Sequence, residues 1–182
     1  EGLIATSACL AGEVTTYAAK GNYEKAKEAA ISYQEIFSKR FYLELQDHQI
    51  AEEKAAHSII KKISKELKIP LVATNDCHYC LKEHSDAHDV WFCLGTGKDR
   101  SDTNRLRYEP HQFYIKSTDE MYQLFKDTPE ALENTLAVSE QCDVTIPLGE
   151  YHLPNYPLAK GQKDPDEYLK SLCYIGLKKK YT

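Results

Sequence analysis

Asp76 and His78 are the residues whose types and spacing most clearly indicate chemistry in this sequence. They follow a short apolar segment, residues 71–73, which is typical of a buried strand. In α/β proteins, functional side chains lie where strands end and loops begin. A carboxylate oxygen and an imidazole nitrogen suit a divalent ion such as zinc or manganese. Because residues i and i+2 of a strand face the same side, the sequence predicts that both bind one ion, with further ligands from elsewhere.

Cys9 is the third candidate metal ligand. Residues 3–7 and 71–75 are predicted strands, and if they run parallel, Cys9 leaves the same carboxyl edge as Asp76 and His78. A thiolate, a carboxylate and an imidazole form a borderline-soft donor set. The same spacing also fits a structural interpretation, in which Cys9 is a small buried hydrophobic residue, Asp76 caps a turn and His78 is hydrogen bonded within the loop.

The motif Cys77-x-x-Cys80 overlaps the first candidate site. With His84 and His88 behind it, the motif is similar to a structural zinc site. A second Cys-x-x-Cys pair is absent from the sequence, and on a strand Cys77 would point away from His78. A zinc-stabilised, non-enzymatic binding module therefore stays an alternative.

Polar residues also end the predicted strand at residues 41–45. Glu44 and His48 are candidates to bind substrate or to orient a water molecule near the metal, as groups that support the ligands. The alternative is that these polar residues cap the helix that follows.

The formal net charge of −5 argues against a protein that binds nucleic acid over its whole surface. One loop is nevertheless basic, and its four cations are candidates for contact with a DNA backbone: Lys98, Arg100, Arg105 and Arg107. A solvated loop without a partner is the alternative interpretation.

Composition indicates a globular protein without a membrane segment, because no apolar run approaches the ~20 residues that a spanning helix needs. The six cysteines lack the dense spacing of a disulfide framework, which favours reduced thiols and a cytoplasmic location. The chain of 182 residues starts with Glu1 instead of Met, directly before a predicted strand. We therefore expect a fragment of a larger protein, with one domain and part of a second.

The apolar periodicity of the first half predicts strand, helix, strand, helix and strand, the order of a parallel α/β sheet or barrel. Asn22 is predicted to cap the first long helix, and the second long helix is predicted over residues 50–67. A closed barrel and an open sheet are both consistent with this pattern.

The second half is predicted to be more helical, beginning with a helix over residues 85–94. Ser117 and Glu120 have the spacing of a capping box. Thr128 is predicted to cap another helix, with Pro129 at its first position.

Prolines interrupt residues 146–159, which predicts an extended linker, and helical spacing resumes at residues 168–176. A domain boundary is predicted near Leu148, which divides the chain into residues 1–148 and 149–182.

Motifs along essentially the whole chain carry a family resemblance: residues 6–14, 41–48, 72–79, 87–90, 113–117, 127–135, 153–156, 168–169 and 176–177. In this order they resemble the alpha subunits of bacterial DNA polymerase III. The resemblance implies the C-terminal part of a polymerase-and-histidinol-phosphatase (PHP) domain, a distorted β/α barrel, followed by a helical, proline-interrupted extension toward the polymerase palm.

The resemblance also implies a metal site at the carboxyl ends of the barrel strands, which some members use for 3′-5′ exonuclease proofreading and others keep as a scaffold. The family's cysteine ligand matches Cys9, and its final Asp-x-His motif matches Asp76 and His78. For the whole protein it implies a DNA-directed DNA polymerase, a nucleotidyltransferase of DNA replication, with DNA, deoxynucleoside triphosphates and other replisome subunits as partners.

This sequence also departs from the family pattern. The opening His-x-His motif has no match, and the polymerase's catalytic aspartates and their magnesium would lie beyond Thr182. We therefore expect neither a complete nuclease site nor a polymerase site, so that the fragment alone is inactive. A free-standing PHP-type phosphoesterase stays the enzymatic alternative.

Overall fold

The strand Phe41–Gln46, β2, lies in the middle of the sheet, and all six of its residues are buried, as is typical of a parallel strand covered on both faces. On one side it pairs in parallel with β1 (Ala5–Thr6), and on the other with β3 (Leu71–Thr74). Residues 2–158 and 160–181 are described by this computed structural model, and they contain one parallel three-stranded sheet in the order β1-β2-β3.

Helices connect and follow the strands. In the described part of the chain they are α1 (Glu13–Ala19), α2 (Tyr23–Phe37), α3 (Ala51–Leu67), α4 (Ser85–Thr96), α5 (Thr118–Leu124), α6 (Glu130–Glu140) and α7 (Pro165–Tyr181), with 3₁₀ turns at Ser38–Arg40 and Lys82–His84. The alternation of strands and crossover helices over the first 74 residues confirms the predicted α/β class.

Two predicted helix caps are confirmed. The side chain of Asn22 accepts a hydrogen bond from the backbone N–H of Lys25 at 3.2 Å, at the start of α2. Ser117 and Glu120 form both arms of the capping box that opens α5.

The first strand is shorter than the predicted residues 3–7. Only Ala5 and Thr6 are paired as strand, although the N–H of Ser7 still donates to the carbonyl oxygen of Tyr42 at 3.0 Å. The chain leaves the sheet immediately afterwards, because Ala8 has a positive φ of 61°.

The predicted cap by the Thr128 side chain is wrong. Pro129 has helical dihedral angles and is itself the N-cap of α6. The Thr128 carbonyl oxygen accepts from the N–H of Ala131 at 3.1 Å, while its hydroxyl is buried without a hydrogen-bond partner among the described residues. The backbone of Thr128, not its hydroxyl, therefore contributes to the first turn.

The hydrophobic core lies between the sheet and helices α1, α2, α3 and α6. Its fully buried members include Val14, Leu43, Ile60, Ile63 and Ala131. The apolar face of α3 thus packs against the core.

The described chain divides into two compact units, one ending at Asp143 and one beginning at Val144. Residues 144–158 of the second unit contain no helix or strand, and Ala159, the last residue of the predicted linker, lies outside the described residues. The domain boundary at Leu148 stays a prediction. No helix among residues 2–158 and 160–181 has the length and apolar character needed to cross a bilayer.

Candidate functional site at the carboxyl edge of the sheet

The side chains of Asp76 and His78 meet just beyond the end of β3. Oδ1 of Asp76 lies 3.5 Å from Nε2 of His78, and both side chains are partly exposed, 41% and 29%. The cause is not strand alternation, because β3 ends at Thr74. Asp76 has a positive φ of 41°, and this turn brings the two side chains together.

His78 is held by its backbone and by its ring. Its N–H donates to the carbonyl oxygen of Phe113 at 2.8 Å, and its ring centroid lies 4.2 Å from that of Tyr108. His88, on α4, is the neighbouring imidazole, at 5.9 Å between ring centroids. Burial, and then the charge of His78, holds the pKa of His88 below its ordinary value.

Cys9 lies in the turn after β1, and Gly12 allows that turn. The N–H of Gly12 donates to the carbonyl oxygen of Cys9 at 2.8 Å, and a Cβ at Gly12 would lie 2.1 Å from the carbonyl oxygen of Ser7. The half-buried Cys9 lines a small cavity that also contains Glu44 and His57.

The predicted ligands therefore occupy two places, Asp76 with His78 and Cys9 near Glu44. Within the described ranges, no group of three or more His, Cys, Asp or Glu side chains is arranged to hold a metal ion. Their assignment as ligands stays a prediction.

Glu44 joins all three strands. Its carboxylate accepts hydrogen bonds from Thr6 of β1 at 2.5 Å, from the side chain of Gln46 at 2.8 Å, and from the hydroxyl of Thr74 on β3. Its backbone N–H donates to the Ser7 hydroxyl at 2.8 Å. Glu44 is 8% exposed, and these hydrogen bonds connect the strand ends that Cys9 and the Asp-x-His turn follow.

His48 is buried. Its Nδ1 lies 2.7 Å from Oε1 of Glu53, its Nε2 lies 2.7 Å from the carbonyl oxygen of Asn75, and its ring stacks on Phe113 at 4.1 Å. Burial opposes protonation, but the hydrogen bonds to Glu53 and Asn75 prevail and raise the pKa of His48 above 6.5. When both ring nitrogens carry a proton, the imidazolium donates to both partners, because a carboxylate and a carbonyl oxygen only accept.

Glu53, Asn75 and Lys116 are site residues that the sequence analysis missed. Lys116 donates to the side-chain oxygen of Asn75 at 2.8 Å and to the carbonyl oxygen of Gln112. Burial lowers the pKa of Lys116, against the opposing effect of nearby acidic groups. The only signal in the sequence for Asn75 was its position directly before Asp76.

The Cys77-x-x-Cys80 motif is exposed, with both thiols free. Sγ of Cys77 lies 3.2 Å from Nδ2 of Asn75. The carbonyl oxygen of Cys80 accepts from the N–H of Ile115 at 3.2 Å, in an extended pairing that also places Tyr79 opposite Tyr114.

The basic loop is tied to α4 by ion pairs. The side chain of Arg105 is 4% exposed and donates two hydrogen bonds, of 2.6 and 2.8 Å, to the carboxylate of Asp89. Arg100 pairs with Asp86 at 3.1 Å, and Arg107 donates to the carbonyl oxygen of Asp102 at 3.2 Å.

Lys98, Arg100 and Arg107 remain more accessible than Arg105. The proposed contacts with a DNA backbone stay a prediction.

The structure described so far is a parallel α/β sheet with potential metal ligands at its carboxyl edge. Residues 1–48 match the family described as "PHP domain". The DNA polymerase III subunit alpha of Borreliella burgdorferi is 43% identical over 184 residues, which cover 100% of this chain and 16% of the relative. That of Campylobacter jejuni is 43% identical over 88% of this chain and 14% of the relative. That of Thermus aquaticus is 31% identical over 100% of this chain and 15% of the relative.

This chain is homologous, from end to end, to one segment of the DNA polymerase III alpha subunits. It spans 14–16% of the length of the three relatives named.

Proposed function

We propose that this chain is a segment of a replicative DNA polymerase, the alpha subunit of a DNA polymerase III. Its identity to the Borreliella burgdorferi protein, 43% over the full chain, is the observation that carries this proposal. Residues 1–148 form the C-terminal part of a PHP domain, in which the three parallel strands belong to a distorted β/α barrel. Residues 149–182 form the helical, proline-interrupted extension toward the palm.

The whole protein extends primers on DNA with deoxynucleoside triphosphates, as a DNA-directed DNA polymerase that acts with other replisome subunits in the cytoplasm. Its polymerase site, with magnesium, lies outside this segment. A polymerase assay on the full-length protein tests this part of the proposal. A full-length protein that hydrolyses small phosphomonoesters and does not extend primers would favour the phosphoesterase alternative instead.

The PHP segment contributes Asp76 and His78 to a divalent metal site for zinc or manganese. The fit rests on their oxygen and nitrogen donors, 3.5 Å apart and accessible at the sheet edge. Cys9, which follows β1 and lines a small cavity with Glu44, is the third proposed ligand. When bound, the metal supplies Lewis acidity to a phosphodiester.

The chain's own residues orient this site for 3′-5′ exonuclease proofreading. Asp76 supplies a negative oxygen, and the backbone bond to Phe113 fixes the position of His78. Glu44 and His48 would support the ligands through their hydrogen bonds to the strand ends and to the turn. Both are buried, which suits a positioning role.

An Asp76→Ala variant of the full-length protein tests the site, with Asp119→Ala, an exposed carboxylate on α5, as the matched control. We expect Asp76→Ala to lose 3′-end hydrolysis of single-stranded DNA while primer extension persists. Unchanged hydrolysis would refute the assignment. Metal binding that depends on Asp76, in a protein without hydrolysis even before substitution, would show the scaffold role instead.

A further inference from the structure

Asn75 occupies the single position between β3 and Asp76, and other segments hold every polar group of its side chain. Its Oδ1 accepts from Lys116 at 2.8 Å, and its Nδ2 donates to the carbonyl oxygen of Tyr114 and lies 3.2 Å from Sγ of Cys77. Its backbone carbonyl oxygen accepts from His48 at 2.7 Å. A half-buried residue with this many partners is fixed in position.

Asp76 lies between two residues whose positions are fixed by hydrogen bonds. Asn75 precedes it, and the N–H of His78, which donates to Phe113 at 2.8 Å, follows it. Asp76 itself has a φ of 41°, in the left-handed region that aspartate enters more readily than most residues other than glycine but that is still uncommon. The Asp76 side chain is exposed, and the hydrogen bonds on either side of it are made by Asn75 and by the N–H of His78.

We propose that Asn75 is the positioning residue of the metal site, which fixes the turn that aims Asp76 at His78. This inference rests on the proposed function of that site. The amide side chain is required because it accepts from a cation on one side and donates to a carbonyl oxygen on the other. An aspartate would keep the bond to Lys116 and lose the bond to Tyr114, and alanine would lose both.

Asn134 provides a matched control. Its Nδ2 also donates to a backbone carbonyl oxygen at the sheet, that of Leu71 at 2.7 Å, but at the opposite end of β3 from the turn. Asn134→Ala therefore removes a comparable hydrogen bond and leaves the surroundings of Asp76 intact. A merely structural role of Asn75 would make the two alanine variants behave alike.

Hydrogen exchange on the full-length protein is the first measurement. We expect Asn75→Ala to accelerate exchange in the peptide over residues 76–80 by about tenfold, because two hydrogen bonds are lost. Asn75→Asp should accelerate it less, and Asn134→Ala should leave it unchanged. Equal exchange in this peptide for Asn75→Ala and Asn134→Ala would overturn the inference.

Titration of the same proteins with Mn²⁺, followed by electron paramagnetic resonance, is the second measurement. We expect Asn75→Ala to weaken Mn²⁺ affinity by about 10- to 100-fold, the usual effect of losing a group that orients a ligand, and Asn134→Ala to leave it unchanged. If Asp76→Ala binds Mn²⁺ as tightly as the unmodified protein, the proposed metal site is wrong. If Asp76→Ala weakens binding and Asn75→Ala does not, only the role of Asn75 is overturned.

Discussion

Nδ1 of His48 lies 2.7 Å from Oε1 of Glu53, and the two side chains are only 1% and 5% exposed. The other oxygen of Glu53 accepts from the backbone N–H of His48 at 2.7 Å, so that one carboxylate closes the loop after β2 onto the first turn of α3. A buried ion pair of this kind is costly to break, because the remaining charge stays buried without a partner.

Glu53→Gln is therefore expected to lower the free energy of unfolding by about 3–5 kcal/mol. Urea unfolding measures this loss. Glu52→Gln, an exposed neighbour on the same helix, should change stability by no more than about 0.5 kcal/mol. Equal effects of the two substitutions would contradict the role of the pair.

The raised pKa of His48 predicts a dependence of stability on pH. A pKa above 6.5 in the folded state means that the contribution is fully present below pH 6.5 and is lost as pH rises through the folded value. The stability difference between the unmodified protein and His48→Gln should therefore shrink as pH rises from 6.5. Unfolding curves at a series of pH values check this, and a difference that grows with pH would show that the imidazolium is not the stabilising form.

Thr6→Val should lower stability by about 1.5–3 kcal/mol, the usual range for a hydrogen bond to a charged group. The substitution keeps the shape of the side chain and removes the donor to the buried Glu44 carboxylate. Thr16→Val removes a hydroxyl bonded at 2.8 Å to an uncharged acceptor, the Leu10 carbonyl oxygen. Denaturant unfolding should show the smaller effect for that control, and the reverse order would refute the importance of the Glu44 carboxylate.

The Tyr114 hydroxyl donates to Glu120 at 2.6 Å. This bond, followed by those from Ser117, lowers the pKa of Glu120 to about 2, while the carboxylate raises the pKa of Tyr114 to about 12. Because the pKa of Glu120 is depressed, its stabilising effect is present above about pH 4.5 and is lost as pH falls toward 2. Tyr114→Phe should move the pKa of Glu120 back toward 4.5 in a carbon-13 NMR titration, and an unmoved pKa would disprove the coupling.

Substitutions of Arg105 and Lys98 should affect different properties, stability and DNA binding respectively, although both residues lie in the basic loop. The hydrogen bonds from Arg105 hold the pKa of Asp89 below its usual value. This pair of side chains, Arg105 and Asp89, connects the loop to α4. Arg105→Lys should lower the Tm because an ammonium lacks the two parallel N–H groups with which the guanidinium binds both Asp89 oxygens. Lys98→Met should leave the Tm unchanged and reduce the salt slope of DNA binding by about 1 in the full-length protein. A salt slope that responds only to Arg105→Lys would refute the proposed backbone contacts.

Much of the fold could be predicted from the sequence because its signals are local. The alternation of apolar segments gave the strand and helix order, and short-range side-chain spacing gave the caps at Asn22 and Ser117. The predicted Thr128 cap is wrong, because the Thr128 hydroxyl is buried without a hydrogen-bond partner among the described residues. The side-chain rotamer that decides this is not visible in spacing alone.

The candidate site was predicted less completely, because its supporting contacts are long-range. Asp76 and His78 could be paired from their spacing, although the turn at Asp76, not a strand, brings them together. Asn75 and Lys116 are 41 residues apart, and their hydrogen bond exists only after the segments pair. No short motif could have shown it.

The amino-acid sequence by itself determined the α/β class, the order of the elements and the identity of the candidate ligands, since these follow from composition and neighbouring residues. Only the tertiary structure decided which polar groups are partners. In the folded chain His48 is buried against Glu53, Glu44 connects three strands, and Arg105 binds Asp89 of α4. The physical reason is that a charge removed from water must find its partner in space, and that partner is set by packing and not by distance along the chain.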